Sequence, residues 1–374
     1  MKRQLLGVAA FMLALSAHAQ DNPLWMRYCA ISPDGTSIAF TYKGDIYTVP
    51  VNGGKAAQIT TNAAHDTHPV WSPDGKQIAF ASDRMGSMDI FVVDREGGIP
   101  KRLTTHSGNE TPVAFKDADH ILFLANVMPS AEDAQFPSGQ FQQVYEVSTT
   151  GDRPVMFSSM PMEDISINKT GNALLYHDKK GYEDPWRKHH TSSITRDIWL
   201  CSLDGKRSYR KLTSFNGEDR TPVWASDGKS FYYLSEEKGS FNVFKRALDG
   251  TTSTQLTHHT KHPVRFLTAA DNGTLCYGYD GEIYTMKEGT EPRKVQISIL
   301  TDKNDKDLIR QIRRNGATEI ALSPDAKEVA FILRGDVYVT SVEYKTTKQI
   351  TNTPEQERDI NFAPDGRSIC LLYT

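Results

Sequence analysis

The sequence predicts an all-β protein, namely a six-bladed β-propeller of four-stranded antiparallel blades followed by the truncated start of a second propeller. Three observations lead to this prediction: a recurrent S-P-D-G turn, a second signature that reads D-I-Y in its plainest form, and a closing run that reads Q-I-T. The three follow one another in constant order on a period of about 40 residues, which is the size of a propeller blade.

The turn signature is S-P-D-G at residues 32–35 and 72–75, and it returns as S-P-D-A at 323–326 and A-P-D-G at 363–366. A weaker A-S-D-G stands at 225–228. Pro and Gly at these positions suit any tight reversal, so the repetition in register carries the prediction. We interpret the turn aspartates as supports that bond nearby backbone N–H groups, with a ring of carboxylate ligands as the alternative.

An apolar run follows each of these turns, and the second and third signatures come after it. The second signature starts at residues 44, 88, 143, 196, 241, 281 and 335. The third starts at residues 58, 102, 211, 255 and 349. Each unit therefore holds four β runs of about five residues. A lone four-stranded sheet cannot cover two apolar faces, whereas radially arranged blades pack face to face and leave only short edges.

Counting units from Tyr28 predicts the domain organisation. Residues 28–300 are the six-bladed propeller, residues 301–316 a charged linker, and residues 317–374 the first blade and a half of a second, incomplete propeller. The last unit contains only two of the four expected β runs. Either these strands complete one large ring by pairing with the first blade, or the protein continues with another propeller, which we favour. Trp71 and Trp224 are expected to be buried between blades.

Residues 1–19 are predicted to be a signal peptide, because two basic residues precede an apolar run that ends in an A-H-A cleavage pattern. Export to the periplasm or the medium is the expected localisation. No later segment reaches the roughly 18 consecutive apolar residues of a membrane span. The formal net charge of -3 gives no large field, so nucleic acid is not an expected partner.

No cofactor and no metal site are expected. The four cysteines are widely separated in strand-like runs, so we interpret them as small core residues, while export leaves a disulfide open. The sequence has no G-x-S-x-G, H-E-x-x-H, G-x-x-x-x-G-K-[ST] or G-x-G-x-x-G motif. We therefore name no catalytic residue, and whether the chain belongs to an enzyme stays open at this point.

A long insertion in the fourth unit is the best local candidate for a peptide-binding or partner-binding surface. Its candidate residues are Trp186, Arg187, Lys188, His189 and His190. Such a loop could hold a peptide carboxylate or an acidic partner by charge-assisted hydrogen bonds, with Trp186 stacking. A structural loop that packs Trp186 against its own blade is the alternative. Six further histidines near unit junctions could meet at a propeller mouth or be ordinary loop residues: His65, His68, His106, His258, His259 and His262.

These features together resemble the exported tricorn-like proteases, whose chains open with a six-bladed propeller and pass into a second one. The similarity extends over the six units, the connector and the restart G-A-T-E-I-A-L-S-P-D-A at residues 316–326. The insertion Y-E-D-P-W-R-K-H-H at residues 182–190 is also similar to that family. The three repeat signatures alone are shared with TolB-like propellers.

The resemblance implies a non-catalytic propeller region that gates or docks peptides for C-terminal protease domains, which carry the catalytic serine and histidine. Peptides or a protein partner are then the expected ligands, and a homo-oligomer is left open. Two other functions remain as alternatives: a free-standing TolB-like module that binds a protein in the cell envelope, and the propeller of a prolyl-oligopeptidase-like enzyme.

Overall fold

The computed structural model describes residues 23–126, 141–180, 186, 194–300, 313–344 and 346–373. This part of the chain is built from strands and contains no helix, hence none that is long and apolar enough to cross a membrane. It divides into two compact units, Met1–Leu300 and Thr301–Thr374. The predicted signal peptide and most of the predicted linker lie outside the described residues.

The first unit holds, within its described residues, six four-stranded sheets whose strands pair antiparallel in chain order. Sheet 1 is β1 (Arg27–Ile31), β2 (Ser37–Tyr42), β3 (Asp45–Pro50) and β5 (Ala57–Gln58). Sheet 2 is β6 (Asp66–Trp71), β7 (Gln77–Ser82), β8 (Asp89–Asp94) and β9 (Lys101–Arg102). Sheet 3 is β10 (Thr111–Phe115), β11 (His120–Ala125), β12 (Gln143–Ser148) and β13 (Val155–Ser158).

The remaining three sheets follow the same order. Sheet 4 is β14 (Met162–Ile167), β15 (Ala173–Asp178), β16 (Ile198–Ser202) and β17 (Ser208–Lys211). Sheet 5 is β18 (Asp219–Trp224), β19 (Ser230–Ser235), β20 (Asn242–Ala247) and β21 (Ser253–Gln255). Sheet 6 is β22 (Arg265–Ala269), β23 (Leu275–Tyr279), β24 (Glu282–Met286) and β25 (Arg293–Lys294). The predicted all-β architecture of four-stranded antiparallel sheets is confirmed.

Apolar layers join neighbouring sheets. The second strand of a sheet contributes alternate side chains to the layers on its two faces. In β2, Ile38 and Phe40 lie in the layer shared with sheet 6, while Ala39 between them lies in the layer shared with sheet 2. In β11, Phe123 faces sheet 2 and Leu122 faces sheet 4. Because successive side chains of a strand point to opposite faces, one strand serves two layers. Layers of this kind join every consecutive pair of sheets and also sheet 6 to sheet 1.

The layer between sheets 6 and 1 closes the six sheets into a ring, and backbone hydrogen bonds reinforce it. Strand β26 (Ile297–Ser298) returns to pair in parallel with β4 (Gly54–Lys55) beside sheet 1. Gly53 lies at this junction with a φ of +88°, and a Cβ on it would come within 2.5 Å of the Gln296 carbonyl oxygen. Only glycine allows both this conformation and this close approach.

The turn aspartates support their turns, as interpreted from the sequence. In the first turn Asp34 Oδ1 accepts hydrogen bonds from the Ser32 hydroxyl at 2.6 Å and the Thr36 backbone N–H at 2.9 Å. The Ser32 hydroxyl bond and the backbone bond lower the pKa of Asp34. The same arrangement recurs around Asp74 in sheet 2 and Asp325 in the second unit, so these three carboxylates stabilise the turns that precede the second strand of their sheets.

The D-I-Y and Q-I-T signatures recur together because their side chains hydrogen-bond across the third and fourth strands. Gln58 Nε2 donates to Asp45 Oδ2 at 3.0 Å in sheet 1, and Arg102 pairs with Asp89 at 2.8 Å in sheet 2. The threonine that ends the Q-I-T signature adds a second bond. Its hydroxyl accepts a hydrogen bond from the backbone N–H of the isoleucine or valine that is the second residue of D-I-Y or its variants. This bond is formed by Thr60, Thr104, Thr213, Thr257 and Thr351.

The second unit repeats the pattern. Its four-stranded sheet is β27 (Ala317–Leu322), β28 (Glu328–Leu333), β29 (Asp336–Ser341) and β30 (Thr347–Gln349), and a hairpin of β31 (Glu357–Phe362) and β32 (Ile369–Tyr373) follows. An apolar cluster around Ala330, Ile332 and Ile360 joins sheet and hairpin. On the other face Ile320 and Leu322 are 74% and 59% exposed.

Trp71 is expected to contribute strongly to stability, because it is buried in the layer between sheets 1 and 2 and its Nε1–H donates to the Ala30 carbonyl at 2.9 Å. Trp71→Ala should lower the free energy of unfolding by about 3 to 5 kcal/mol. Trp71→Phe, which keeps an aromatic ring in the layer but loses the hydrogen bond and part of the ring volume, should cost less, about 2 to 3 kcal/mol. Urea denaturation of both variants measures this, with the exposed Ile99→Ala as control. An unchanged midpoint for Trp71→Ala would contradict the placement.

Candidate functional site

The first strands of the six sheets surround a cavity of about 1060 Å³. These strands are neighbours around the ring, from β1 through β6, β10, β14, β18 and β22 back to β1. They line the ring axis because each is the inner edge of its sheet, with the later strands lying farther out. The wall of the cavity is therefore built from one short strand of every repeat.

Each first strand has an irregular register that indicates a β-bulge, for example between Arg27 and Ala30 and between Arg220 and Val223. A bulge turns a side chain out of its normal alternation. In five of the six first strands, all within the described residues, the bulge carries a residue other than glycine with a positive φ of 49° to 57°. These five residues are Tyr28, His68, Asp164, Thr221 and Phe266, and all of them line the cavity.

The equivalent position in the remaining first strand is Pro112, which also lines the cavity. The pyrrolidine ring of proline fixes φ near −65°, so this strand cannot adopt the conformation of the other five. We call the six residues the axial ring: Tyr28, His68, Pro112, Asp164, Thr221 and Phe266. Asp359 in β31 of the second unit has the same conformation, with a φ of 55°, so the bulge belongs to the repeat and only the side chain changes.

One arc of the axial ring is aromatic. The ring centroid of Tyr28 lies 4.8 Å from that of Phe266 and 3.7 Å from that of His68. Burial lowers the pKa of His68 to about 4, against a smaller opposing effect of the Asp164 carboxylate. His68 is therefore neutral near pH 7, and its ring contributes an apolar, stacking surface to the cavity.

The other arc is polar. The Thr221 hydroxyl donates to Asp164 Oδ2 at 2.6 Å, and the Thr221 backbone N–H donates to His177 Nδ1 at 3.3 Å. Since Nδ1 accepts this bond, the His177 proton lies on Nε2, which is 3.2 Å from Glu163 Oε2. Asp164 is exposed and lines the cavity. Thr221 therefore holds one oxygen of a carboxylate that remains accessible from the cavity.

A charge network lies behind the polar arc. Glu163 contacts Lys179 at 2.5 Å and Arg196 at 3.5 Å, and Arg196 also contacts Glu218 at 2.5 Å. Burial alone would raise the pKa of Glu163, but the hydrogen bond from His177, together with the charge and hydrogen bond of Lys179, outweighs it and lowers that pKa. Arg196 and Glu218 are buried, while Glu163 and Lys179 are half-buried. Because these opposite charges pair with one another, the network helps to hold β14 and the start of β18 at the cavity wall.

Trp186 lies at the edge of the same cavity, between two arginines. Its indole ring is 4.8 Å from the Arg27 guanidinium and 4.9 Å from that of Arg265, which are cation–π distances. The Trp186 carbonyl accepts a hydrogen bond from Arg265 at 2.9 Å, and its ring centroid is 6.0 Å from that of Phe266. The tryptophan of the fourth unit thus contacts residues of sheets 1 and 6 beside the aromatic arc.

A family model for the tricorn protease N-terminal beta propeller domain matches residues 23–292. The chain belongs to this family. It is 25% identical over 361 residues to tricorn protease homolog 1 of Streptomyces coelicolor, covering 94% of this chain and 32% of that protein. It is also 25% identical to the tricorn protease of Thermoplasma acidophilum, covering 85% of this chain and 29% of that protein.

A crystal structure of the tricorn protease matches the fold with a TM-score of 0.67 at 18% identity, over 91% of this chain and 33% of that one. The chain therefore spans about a third of the length of the tricorn relatives that it matches. The resemblance to the N-terminal propeller region of a tricorn-like protease, which was inferred from the sequence, is confirmed.

Of the five candidate residues in the insertion of the fourth unit, the structure describes one. Trp186 lines the cavity, whereas Arg187, Lys188, His189 and His190 lie outside the described residues. Of the six junction histidines, His68 lines the cavity and the other five are not among its lining residues.

The axial ring was missed from the sequence because its members differ in chemistry. Its signal is a fixed spacing, since each of the five residues with positive φ stands four positions before the first residue of the following turn. Tyr28 precedes Ser32 in this way, and His68 precedes Ser72.

His68 should make the propeller sensitive to acid. Its pKa is about 4 in the folded chain against 6.5 in the unfolded one, so the unfolded state binds more protons between these values and stability falls as the pH falls from 6.5 to 4. The loss should be about 2 kcal/mol, after allowing for the partial exposure of the ring to the cavity.

Urea denaturation of wild type and His68→Gln at pH 7 and pH 4 measures this contribution. The variant should lose less stability than wild type on acidification, whereas His258→Gln, at an exposed histidine, should follow wild type. Parallel losses in wild type and His68→Gln would show that His68 titrates normally.

Proposed function

We propose that this chain is the non-catalytic propeller region of an exported tricorn-like serine protease, and that its axial cavity binds peptides that pass to or from a C-terminal protease domain. The observation that carries the proposal is the axial ring, which presents an aromatic arc and a polar arc to one cavity of about 1060 Å³. A volume of this order accommodates several residues of a peptide.

The chemistry of the wall suits an unfolded peptide. Tyr28, Phe266 and Trp186 offer flat apolar surfaces for side chains of varied shape. Asp164 offers a carboxylate oxygen to peptide N–H or ammonium groups, and Arg265 offers its guanidinium group to a carboxylate. A site of this mixed composition binds main chain and termini without selecting one sequence.

The described residues do not provide a catalytic arrangement at the cavity. The Thr67 hydroxyl lies 3.1 Å from His68 Nδ1, but a pKa of about 4 makes this imidazole a weak base. Within the described residues His68 also has no carboxylate hydrogen-bonded to it that would orient it as in a hydrolytic triad. The Thr221 hydroxyl donates to Asp164 and not to a histidine. We infer that peptides are held here and cleaved elsewhere.

Peptide binding by the purified chain tests the proposal. Fluorescently labelled, unstructured peptides should bind with a measurable change in anisotropy, and Trp186→Ala should weaken binding about tenfold through loss of an aromatic contact. Ile99→Ala, at a side chain that is 97% exposed and outside the cavity, is the matched control. Equal affinity of Trp186→Ala and wild type would show that peptides do not bind at this part of the cavity. Hydrolysis of the peptides by the chain itself would contradict a non-catalytic role.

Export is supported by the signal pattern of residues 1–19. Expression of the chain with this segment should yield a processed protein outside the cytoplasm whose first residue is Gln20. N-terminal sequencing of the fractionated protein measures this. An unprocessed chain that remains in the cytoplasm would overturn the localisation and leave peptide binding to be judged by its own experiment.

A further inference from the structure

Two of the four cysteines meet where the ring closes. Cys29 lies in β1 of sheet 1 and Cys276 in β23 of sheet 6, and both are buried in the apolar layer between these sheets. They are 2% and 0% exposed. Their positions in the chain are far apart, so only the closed ring brings them together.

The two sheets approach each other closely at this point. The Ile31 backbone N–H donates to the Thr268 hydroxyl at 3.1 Å, and the Cys29 thiol points at sheet 6, where its Sγ lies 3.5 Å from the Phe266 carbonyl oxygen. Strand β1 packs directly against β22 and β23. Near the axis the separation of neighbouring sheets is thus smaller than the roughly 10 Å usual for stacked sheets, which brings side chains as short as cysteine within reach.

The two thiols lie in one apolar layer, where β1 packs directly against β23. Burial raises the pKa of the Cys276 thiol, and the interaction with the Cys29 thiol raises it further. The surrounding side chains of this layer are apolar, among them Phe40 and Ile283. A protonated thiol in such a layer reacts slowly, so any bond between the two must form while the ring is still closing.

We propose that Cys29 and Cys276 form a disulfide that covalently joins the first and last sheets when the chain folds in an oxidising compartment. Both thiol protons leave, one S–S bond forms, and the two electrons reduce the disulfide of a thiol–disulfide oxidoreductase, or of oxidised glutathione, to two thiols. The bond spans nearly the whole ring, and a cross-link of this span restricts the unfolded chain more than a short one does.

This proposal differs from the interpretation of the cysteines from sequence, which treated all four as small core residues. Cys201 agrees with that interpretation, since it is buried in the layer between sheets 3 and 4. Cys370 lies in β32 of the second unit and is exposed. The chain therefore carries two cysteines that serve as internal controls.

Counting reactive thiols tests the proposal directly. The full chain is refolded in a glutathione redox buffer, denatured in urea with an alkylating reagent, and mapped by mass spectrometry. Alkylation should be confined to Cys201 and Cys370, and the peptides that contain Cys29 and Cys276 should be linked until a reductant is added. Alkylation of all four cysteines in a chain that has regained its β-sheet circular dichroism would overturn the proposal.

Two variants separate the bond from simple packing. Cys276→Ser should free the Cys29 thiol, giving three alkylated cysteines, and should raise the unfolding rate about tenfold. Cys201→Ser, at a buried cysteine of another layer, should keep the linked pair. If a reductant left the unfolding rate of wild type unchanged, the bond would be absent or without effect on the ring. Neither readout depends on peptide binding, so this result and the proposed function are judged separately.

Discussion

Every sheet of the first unit is apolar on both faces, and the need to cover both is the constraint on which the rest of the structure depends. A strand such as β2 sends Phe40 to one side and Ala39 to the other, and both are fully buried. An open stack would always leave two end faces in water, whereas a ring leaves none. Each layer combines small and large side chains, as Ala39 and Phe80 share one layer, and such a combination suits the close packing of two sheet faces.

Ring closure also creates the cavity. In each of the six inner strands a bulge turns one residue out of the regular alternation, and that residue lines the cavity. The bulge supplies one such residue per sheet, and this residue has a positive φ wherever proline does not prevent it. Architecture therefore fixes where the axial ring stands, while the side chain at each position sets its chemistry.

Much of this could be predicted from the sequence because the repeat signatures are local. Asp34 bonds within its turn, Gln58 donates to Asp45, and the Ile46 N–H donates to Thr60. These partners are at most fourteen residues apart, so the bonds repeat as readable patterns in the sequence. The cavity wall has no such pattern, since Tyr28 meets Phe266 across the closure and Asp164 meets Thr221 across a sheet boundary. Of the predicted site, Trp186 could be found from its loop, but its position between Arg27 and Arg265 depends on the closed ring.

The identity of the axial-ring residues is itself informative. A positive φ costs a β-branched or aromatic residue about 1 kcal/mol or more, and glycine would adopt it freely. Thr221, Tyr28 and Phe266 nevertheless occupy these positions, so their side chains must offset that cost by what they contact. Tyr28 does so by packing its ring between the rings of Phe266 and His68, and Thr221 by donating a hydrogen bond to Asp164. These contacts join sheets 6, 1 and 2 on one side of the axis and sheets 4 and 5 on the other, so six similar sheets enclose a cavity with one aromatic and one polar side.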